Sequence, residues 1–506
     1  MYYHEISIKN LRIKSNIPSK LFAAFAFLFL ISCVNFLQAQ NATSSPYSRY
    51  GVGDLSSKTF VTNRGLGGIE IGLSIPGHIN YGNPAAYASL YFTTYEGGLD
   101  VKQYELKTNK AKHRTNTASV SYFDFAFPIK QNKWSLGFGL LPYSKVGYLA
   151  SSESINSFGD SEISQYEGSG GLNNFHIGTG FKISKRLSFG LNSEYIFGVI
   201  NNDRIVAFSN PYYYNTSIKS NTSIGWFNFN FGSQYRIDSL PFSKSDSIIL
   251  LENKITLLRD SLVDIIRLNS GDTSQESYRI KNQLSQEIAT TTLMKKNVVL
   301  RKTKSDWHLV LGFVASPSTD LRAKNSTLIN SFRYGSSNLV ISVRDTISLT
   351  NGQRSYVRLP VNAGFGFSLI KGSRWIFGSD ISIQQWSNFS YLGAEDSLLV
   401  NSLKVNAGIQ FTPNDRDVKA YWRKIQYRLG FHFDSGYLKF NGKNINDKGI
   451  TAGFGLPVRK AGTVISFAFD AGERGTTENN LILERYFQFT FGFTISDRWF
   501  IKSKYD

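Results

Sequence analysis

Phe487-Gln488-Phe489-Thr490-Phe491-Gly492-Phe493-Thr494-Ile495 sets a large apolar side chain at every second position and a small or polar one between. Successive side chains of a β-strand point to opposite faces, so the stretch predicts a strand with one greasy and one polar face. The pattern recurs upstream. Leu359, Val361, Ala363, Phe365, Phe367 and Leu369 alternate with Arg358, Asn362, Gly364, Gly366 and Ser368. Leu403, Val405, Ala407, Ile409 and Phe411 do the same, as do Trp307, Leu309, Leu311 and Phe313. Tilted membrane strands need runs of about nine to eleven residues like these, whereas strands of soluble sandwiches average about five or six.

Candidate strands fall near 94–108, 117–130, 133–152, 163–184, 186–204, 217–237 and 305–325, then 354–370, 373–388, 401–412, 424–440, 449–458, 463–473 and 484–496. That makes about fourteen, an even number, as single-chain bacterial barrels have. Short connections at 130–133, 184–186 and 371–373 alternate with long polar ones at 205–216 and 326–353. With the N-terminus in the periplasm, the short turns fall on the periplasmic side and the long loops outside. The expected fold is an all-β transmembrane antiparallel barrel.

Composition agrees. Charged residues make up 18% and aromatics 14%, with 39 Phe, 27 Tyr and 43 Gly, a mixture suited to a lipid-coated wall with a thinned lumen side. Such aromatic content argues against disorder. The formal charge of +19 becomes +16 once residues 1–39, with four Lys or Arg and one Glu, are set aside. These charges scatter over strand ends and turns and form no patch of the kind that binds nucleic acid. Contact with lipopolysaccharide phosphates accounts for them instead.

Residues 1–39 predict an export signal: Lys9, Arg12, Lys14 and Lys20 precede an apolar run from Leu21 to about Leu37. Cleavage is expected near Ala39. A rival reading takes Leu30-Ile31-Ser32-Cys33 as a lipobox with Cys33 lipidated. Cys33 is the one cysteine of the chain, so ordinary cleavage leaves no thiol for a disulfide, a metal site or a nucleophile.

Two regions fall outside the wall. Residues 40–90 are rich in turn-formers, with Asn63-Arg64-Gly65-Leu66-Gly67-Gly68 and Asn80-Tyr81-Gly82-Asn83-Pro84-Ala85. The glycines neither follow a strand nor open a helix, so a phosphate-loop reading fails, and a segment folded inside the barrel is expected. Residues 239–303 change period: Ile248, Leu251, Ile255, Leu258, Leu262 and Ile265 are spaced as one helical seam. Ser245 or Asp246 caps the start and Asn269-Ser270-Gly271-Asp272 ends it, and a second helix carries Ile280, Leu284, Ile288 and Val298. This is a helical hairpin on the periplasmic side. Leu251, Ile255, Leu258 and Leu262 either pack the hairpin on itself or dock a periplasmic or envelope protein.

Of the inward positions Asp124, Glu194, Lys404, Arg428, His432, Asp434 and Asp470, His432 and Asp434 share a face. A catalytic triad needs a positioned nucleophile, and none accompanies them, so neither enzyme activity nor a cofactor is expected. Six scattered histidines give no metal spacing.

With some fourteen strands, an N-terminal plug and Asn83-Pro84-Ala85-Ala86-Tyr87 before the first strand, the chain resembles the FadL-like outer-membrane transporters of hydrophobic compounds. Ser45-Pro46-Tyr47-Ser48-Arg49-Tyr50-Gly51 and Asp497-Arg498-Trp499-Phe500 resemble the Bacteroidota branch of that group. The resemblance implies a ligand site above the plug, here Tyr47, Arg49, Tyr50, Asn83, Pro84 and Tyr87. It also implies a lateral exit at a kink in the third strand, matched by Gly137, Gly139, Pro142 and Tyr143. Proline cannot donate to a strand ladder, so Pro142 marks either such a gate or an ordinary bulge. The expected function is passive uptake of small hydrophobic molecules, captured by outer-rim aromatics such as Tyr212, Tyr213 and Tyr214, with movement of the plug around Asn83–Tyr87 and exit at the third strand. The alternative is a non-transporting barrel subunit of an envelope secretion or barrel-assembly complex, docked through 239–303.

Overall fold

The structure is a computed structural model that describes residues 43–155, 159–210, 212–238, 246–268, 275–303, 307–334, 340–417, 419–458, 462–497 and 499. The export signal, Cys33, Ser245 and the turn 269–272 lie outside these residues, as do Arg498 and Phe500.

Fourteen antiparallel strands close into a barrel. They are β1 (Thr93–Lys107), β2 (Lys112–Lys130), β3 (Trp134–Ile155), β4 (Ser161–Lys182), β5 (Leu187–Phe208) and β6 (Asn215–Ile237). Next come β7 (Trp307–Ser316 continued by Thr319–Tyr334), β8 (Val340–Leu359 continued by Asn362–Lys371), β9 (Trp375–Gln384) and β10 (Ser402–Phe411). The wall ends with β11 (Gln426–Asp434), β12 (Asp447–Pro457), β13 (Val464–Arg474) and β14 (Leu483–Asp497). Closure is direct, with β14 lying on β1 through Tyr95↔Ile495 and Leu99↔Phe491. β6 pairs with both pieces of β7, which makes them one wall strand. β8 breaks at Pro360, a residue with no N–H for the ladder.

The alternation read in the sequence becomes an inside and an outside. Phe229, Phe231, Phe365, Phe367 and Phe431 are exposed on the outer face. Asn228, Asn230, Ser368 and Thr490 are buried on the inner one. A wall built this way is stable where its outer solvent is hydrocarbon. Among the described helices none is long and apolar enough to cross a membrane, and the strands do the crossing. Trp134, Trp307, Trp375, Trp422 and Trp499 gather at the end where β1 begins and β14 stops, called the base, as an interfacial aromatic girdle. The opposite end is the crown.

The wall is lopsided. β3 to β6 have 22 or 23 residues each, while β9 to β13 have 9 to 11. Since about nine to eleven residues cross a bilayer, the tall side projects well beyond it at the crown. Of residues 326–353, expected as a long polar loop, 326–334 and 340–353 are strand in this projection. Leu349↔Leu328 and Val343↔Phe332 pair across a hairpin with several register shifts. Outside the bilayer a strand has no greasy solvent to face, so it keeps β-branched residues without apolar alternation. The connection expected at 205–216 likewise shortens, because β5 runs to Phe208 and β6 starts at Asn215.

The short side is roofed. Residues 385–401 and 435–446, partly expected as strand, leave the wall as loops and fold inward. Trp386 (2% exposed), Phe389, Leu399, Tyr437, Leu438 and Ile445 join Tyr47 and Val52 in one hydrophobic core with Leu172, Ile196, Leu321 and Leu359 of the wall. Trp386 stacks on Tyr437 with ring centroids 4.8 Å apart.

At the base, between β6 and β7, the helices α1 (Asp246–Leu268) and α2 (Gln275–Thr303) pack antiparallel. At about 1.5 Å per residue, the 23 residues of α1 span about 35 Å. The pairs Lys254–Glu287 at 3.0 Å and Lys295–Glu252 at 2.9 Å bridge them.

Candidate functional site: the plugged lumen

Residues 43–90 fold inside the barrel as three short helical turns, Pro46–Arg49, Val61–Arg64 and Pro84–Ser89, joined by tight bends. The wall makes room by omitting side chains. A Cβ at Gly190 would lie 2.2 Å from the Pro84 carbonyl carbon, one at Gly312 1.9 Å from the Ile71 oxygen, and one at Gly408 2.1 Å from the Leu66 oxygen. Gly180, Gly232 and Gly430 meet the plug equally closely. These seats form a girdle of glycines at one depth of the lumen. The sequence signal for them is glycine at inward positions of neighbouring strands.

Polar groups bolt the plug to its seats. Asp380 on β9 accepts the Glu70 and Ile71 N–H groups at 2.6 and 2.8 Å. Asn83, fully buried, donates to the carbonyls of Ile71 (2.7 Å) and Ser233 (3.2 Å) and accepts from the Ala85 N–H at 3.1 Å. Gln234 donates to Ile71 and Leu73 carbonyls, Asn406 to the Gly68 carbonyl, and Thr451 accepts the Gly67 N–H. Arg64 pairs with Asp100 at 2.7 Å, and Tyr81 donates to Glu194. Each such bond contributes about 0.5–1.5 kcal/mol, more where a charge takes part. Burial raises the Glu70 carboxyl from its ordinary 4.5 to about 7; Asp380 adds to the rise and Lys404 and Lys58 oppose it.

The third strand behaves as its proline suggests. Pairing of β2 with β3 runs only from Lys130↔Trp134 to Phe123↔Leu140, and β3 slips register on β4 between Pro142 and Ser144. Above Leu140 the open edge of β3 is taken by the plug itself. Asp54 and Leu55 pair with Lys145 and Ser144, and the Ser56 N–H donates to the Tyr143 carbonyl at 3.0 Å. Lys145 donates across the seam to Ser119 on β2 at 2.6 Å. Gly139 leaves space for Asp124, which faces His176 at 3.1 Å in a fully buried pair.

Plug, seam and roof line a partly open chamber of about 370 Å³. Its lining mixes polar and apolar surface in similar measure: Asp54, Glu70, Asp100, Asp380, Asp434, Asp447, Asp470 and Glu484 share it with Lys58, Arg64, Lys102, Lys145, Lys404 and Arg474, beside apolar Leu55, Ile71, Val314, Leu359 and Ile445. His432 lies 3.0 Å from the Tyr486 hydroxyl, which donates to Asp447 at 2.8 Å, and 3.9 Å from Asp470. The expected His432–Asp434 pair thus resolves into separate contacts, with His432 facing Tyr486, Asp447 and Asp470 while Asp434 accepts the Gly436 N–H.

The expected ligand residues separate. Tyr47, Asn83, Pro84 and Tyr87 are buried among protein atoms, and the Tyr47 hydroxyl donates to the Ile482 carbonyl at 2.6 Å. Arg49 lies over the Tyr166 ring at 4.1 Å, and Tyr50 packs on Phe440. Tyr212, expected in a greasy pocket, is 85% exposed, and Tyr214 stacks under Arg333. The apolar part of the lumen is filled by the roof core instead. Sequence reasoning missed Trp386, Phe389 and Tyr437, because single apolar residues in turn-rich segments carry no period. In the hairpin, the seam of Leu251, Ile255 (9% exposed), Leu258 and Leu262 is half-buried or buried between the helices. Self-packing therefore uses the seam expected for docking, and Leu250 and Leu257, about two-thirds exposed, point outward.

Among solved structures, the chain superposes on the toluene transporter TbuX of Ralstonia pickettii with a TM-score of 0.51 and 12% identity, over 87% of this chain and 98% of that one. It also superposes on a Pseudomonas aeruginosa FadL homologue with a TM-score of 0.52 and 10% identity, again over 87% and 98%. At such identity these matches establish a FadL-like fold and nothing finer. No curated protein matches the sequence. A family profile described as BamG matches residues 20–295 and 273–506.

Proposed function

The chain belongs to the BamG family, and from that premise we propose that it is a sealed outer-membrane barrel acting as a structural subunit of an envelope secretion or barrel-assembly complex. The observation that carries this reading is the filled lumen. The plug occupies glycine seats too close for any side chain, the roof core takes much of the apolar volume, and the space between is crowded with charged side chains, among them the pairs Arg64–Asp100 and Arg474–Asp54. A hydrophobic solute entering that chamber would lie against desolvated charges, including the pairs Arg64–Asp100 and Arg474–Asp54, and their disturbance offsets what its burial gains. The base, where the hairpin is inserted, faces the periplasm in this reading. Leu250 and Leu257 on α1 and Leu293 and Met294 on α2 are exposed there, as contact residues of a partner would be.

The test replaces residues 246–303 with a short Gly-Ser turn. Purification of the native protein in mild detergent is expected to retain a partner that the shortened barrel loses, while both remain folded and electrically silent in planar bilayers. Retention of the same partner by the shortened barrel would defeat the hairpin assignment.

A second reading, passive uptake of small hydrophobic molecules with lateral exit near Gly137, Gly139, Pro142 and Tyr143, is favoured by the interrupted β2–β3 ladder. It requires the Asp54–Leu55 strand to leave β3. Liposomes carrying the purified barrel would then take up radiolabelled toluene faster than empty ones, and equal rates would dismiss it.

A further inference from the structure

The base carries a surface that neither the plug nor the hairpin uses. The turn Lys371–Trp375 lies against residues 412–415, which follow β10. The Thr412 N–H donates to the Arg374 carbonyl at 2.8 Å, and the Ser373 hydroxyl to Asp415 at 2.8 Å. Beside this contact runs a continuous aromatic shelf. Trp307 meets Phe377 at 5.8 Å, Phe377 meets Trp375 at 5.6 Å, and Trp375 meets Phe411 at 4.3 Å between ring centroids.

Cations are laid over the shelf. Lys371 lies 5.4 Å from the Trp307 ring centre, Arg374 5.6 Å from that of Phe411, and Arg423 5.3 Å from that of Trp422. Tyr421 and Trp422 are more than half exposed. The acids of the loop are spent locally. Asp417 accepts the Lys419 and Ala420 N–H groups and pairs with Arg423 at 2.9 Å, while Asp415 takes Ser373. Among the described residues, Lys371, Arg374, Arg416, Lys419 and Lys424 form no ion pair with a carboxylate.

We propose that this platform binds the anionic phosphate headgroup of a phospholipid in the leaflet at the base of the barrel. Depth decides between a lipid and a soluble acidic partner. Exposed tryptophan and tyrosine rings settle at the headgroup level of a bilayer, where one side is apolar and the other wet. Cations stacked on those rings are held at the depth of the lipid phosphates. The guanidinium fork of Arg374 suits two phosphate oxygens, and the lysines supply point charges around it. The inference stands apart from the subunit and uptake readings, since it needs neither the hairpin nor the lumen.

The experiment embeds the full chain in nanodiscs of phosphatidylcholine with one quarter phosphatidylglycerol and counts co-retained lipids by native mass spectrometry. Wild type is expected to retain phosphatidylglycerol several-fold over its share of the mixture. The variant Lys371→Gln/Arg374→Gln/Lys419→Gln/Lys424→Gln is expected to fall to that share, and replacing the three lysines with arginine preserves the enrichment. Should the fourfold variant fail to fold, Arg416→Gln/Lys419→Gln, confined to the exposed loop, must still lower retention. No enrichment by wild type, unchanged enrichment in folded neutral variants, or displacement of the lipid by soluble polyglutamate at matched charge would each overturn the proposal.

Discussion

Gly312 and Gly137 both point into the lumen, yet they answer to different demands. At Gly312 an added methyl would collide with the Ile71 carbonyl oxygen at 1.9 Å, a backbone atom held in place by bonds from Asn83 and Gln234. At Gly137 the nearest atom would be the Ala126 Cβ at 3.4 Å, an ordinary contact. Overpacking of a fixed site costs about 1–3 kcal/mol. Gly312→Val is therefore expected to unseat the plug without opening the wall, so that trypsin cuts at Lys58 or Arg64 in the folded barrel, whereas Gly137→Ala stays resistant. Glu70 gives the same segment a pH dependence. With its carboxyl raised from 4.5 to about 7, the seated plug holds a proton that the unfolded chain has already released between those values. Its stability thus falls as pH rises through that window. Glu70→Gln remains neutral throughout. Its advantage over wild type in protease resistance is expected to be absent at pH 5 and clear at pH 8, and an equal effect at both would contradict the burial argument.

At the scale of elements, legibility followed the solvent. Strands that cross lipid must alternate, so β11 and β14 can be read residue by residue from Phe431, Phe433, Phe487 and Phe489. The upper parts of β7 and β8 pair as strands with no such pattern, and their residues 326–334 and 340–353 look like a loop because water lies on both faces. The hairpin is legible in period but not in use: the seam at Leu251, Ile255, Leu258 and Leu262 predicts a helix equally well whether it meets α2 or a stranger. The exposed faces settle what a substitution should do. Ile255→Ala removes a side chain that is 9% exposed and should cost the hairpin about 2–5 kcal/mol, seen as faster amide exchange across 246–303 with the barrel unchanged. Leu257→Ala changes a side chain that is 68% exposed and should move hairpin stability by no more than about 0.5 kcal/mol. If Leu257 serves a partner, the same substitution weakens co-purification, and that combination separates docking from folding.

For the molecule as a whole, the plug and the roof are two closures in series, and they rest on largely separate sets of contacts. The plug is held by fit and hydrogen bonds at the glycine girdle and by apolar cores of its own, Phe60, Val61 and Tyr87 against Tyr122 and Leu141, and Leu66, Ile69 and Leu73 against Ile376. Of its buried apolar residues Tyr47 and Val52 belong to the roof core, so most of its seat survives changes in the roof. The roof is held by apolar packing of Trp386, Phe389, Tyr437 and Leu438 against the tall wall. Trp386→Ala removes a side chain that is 2% exposed and should destabilise the roof by about 3–5 kcal/mol, enough to open the chamber to the crown. Current through a planar bilayer nevertheless requires a continuous water path, and the seated plug still blocks one. Trp386→Ala alone is therefore expected to remain silent, and Gly312→Val alone to conduct weakly because the roof persists. The double variant should conduct steadily, by more than the sum of the two. Steady current through Trp386→Ala by itself would mean that the glycine seats do not seal the lumen, and with that the sealed-subunit reading would lose its main support.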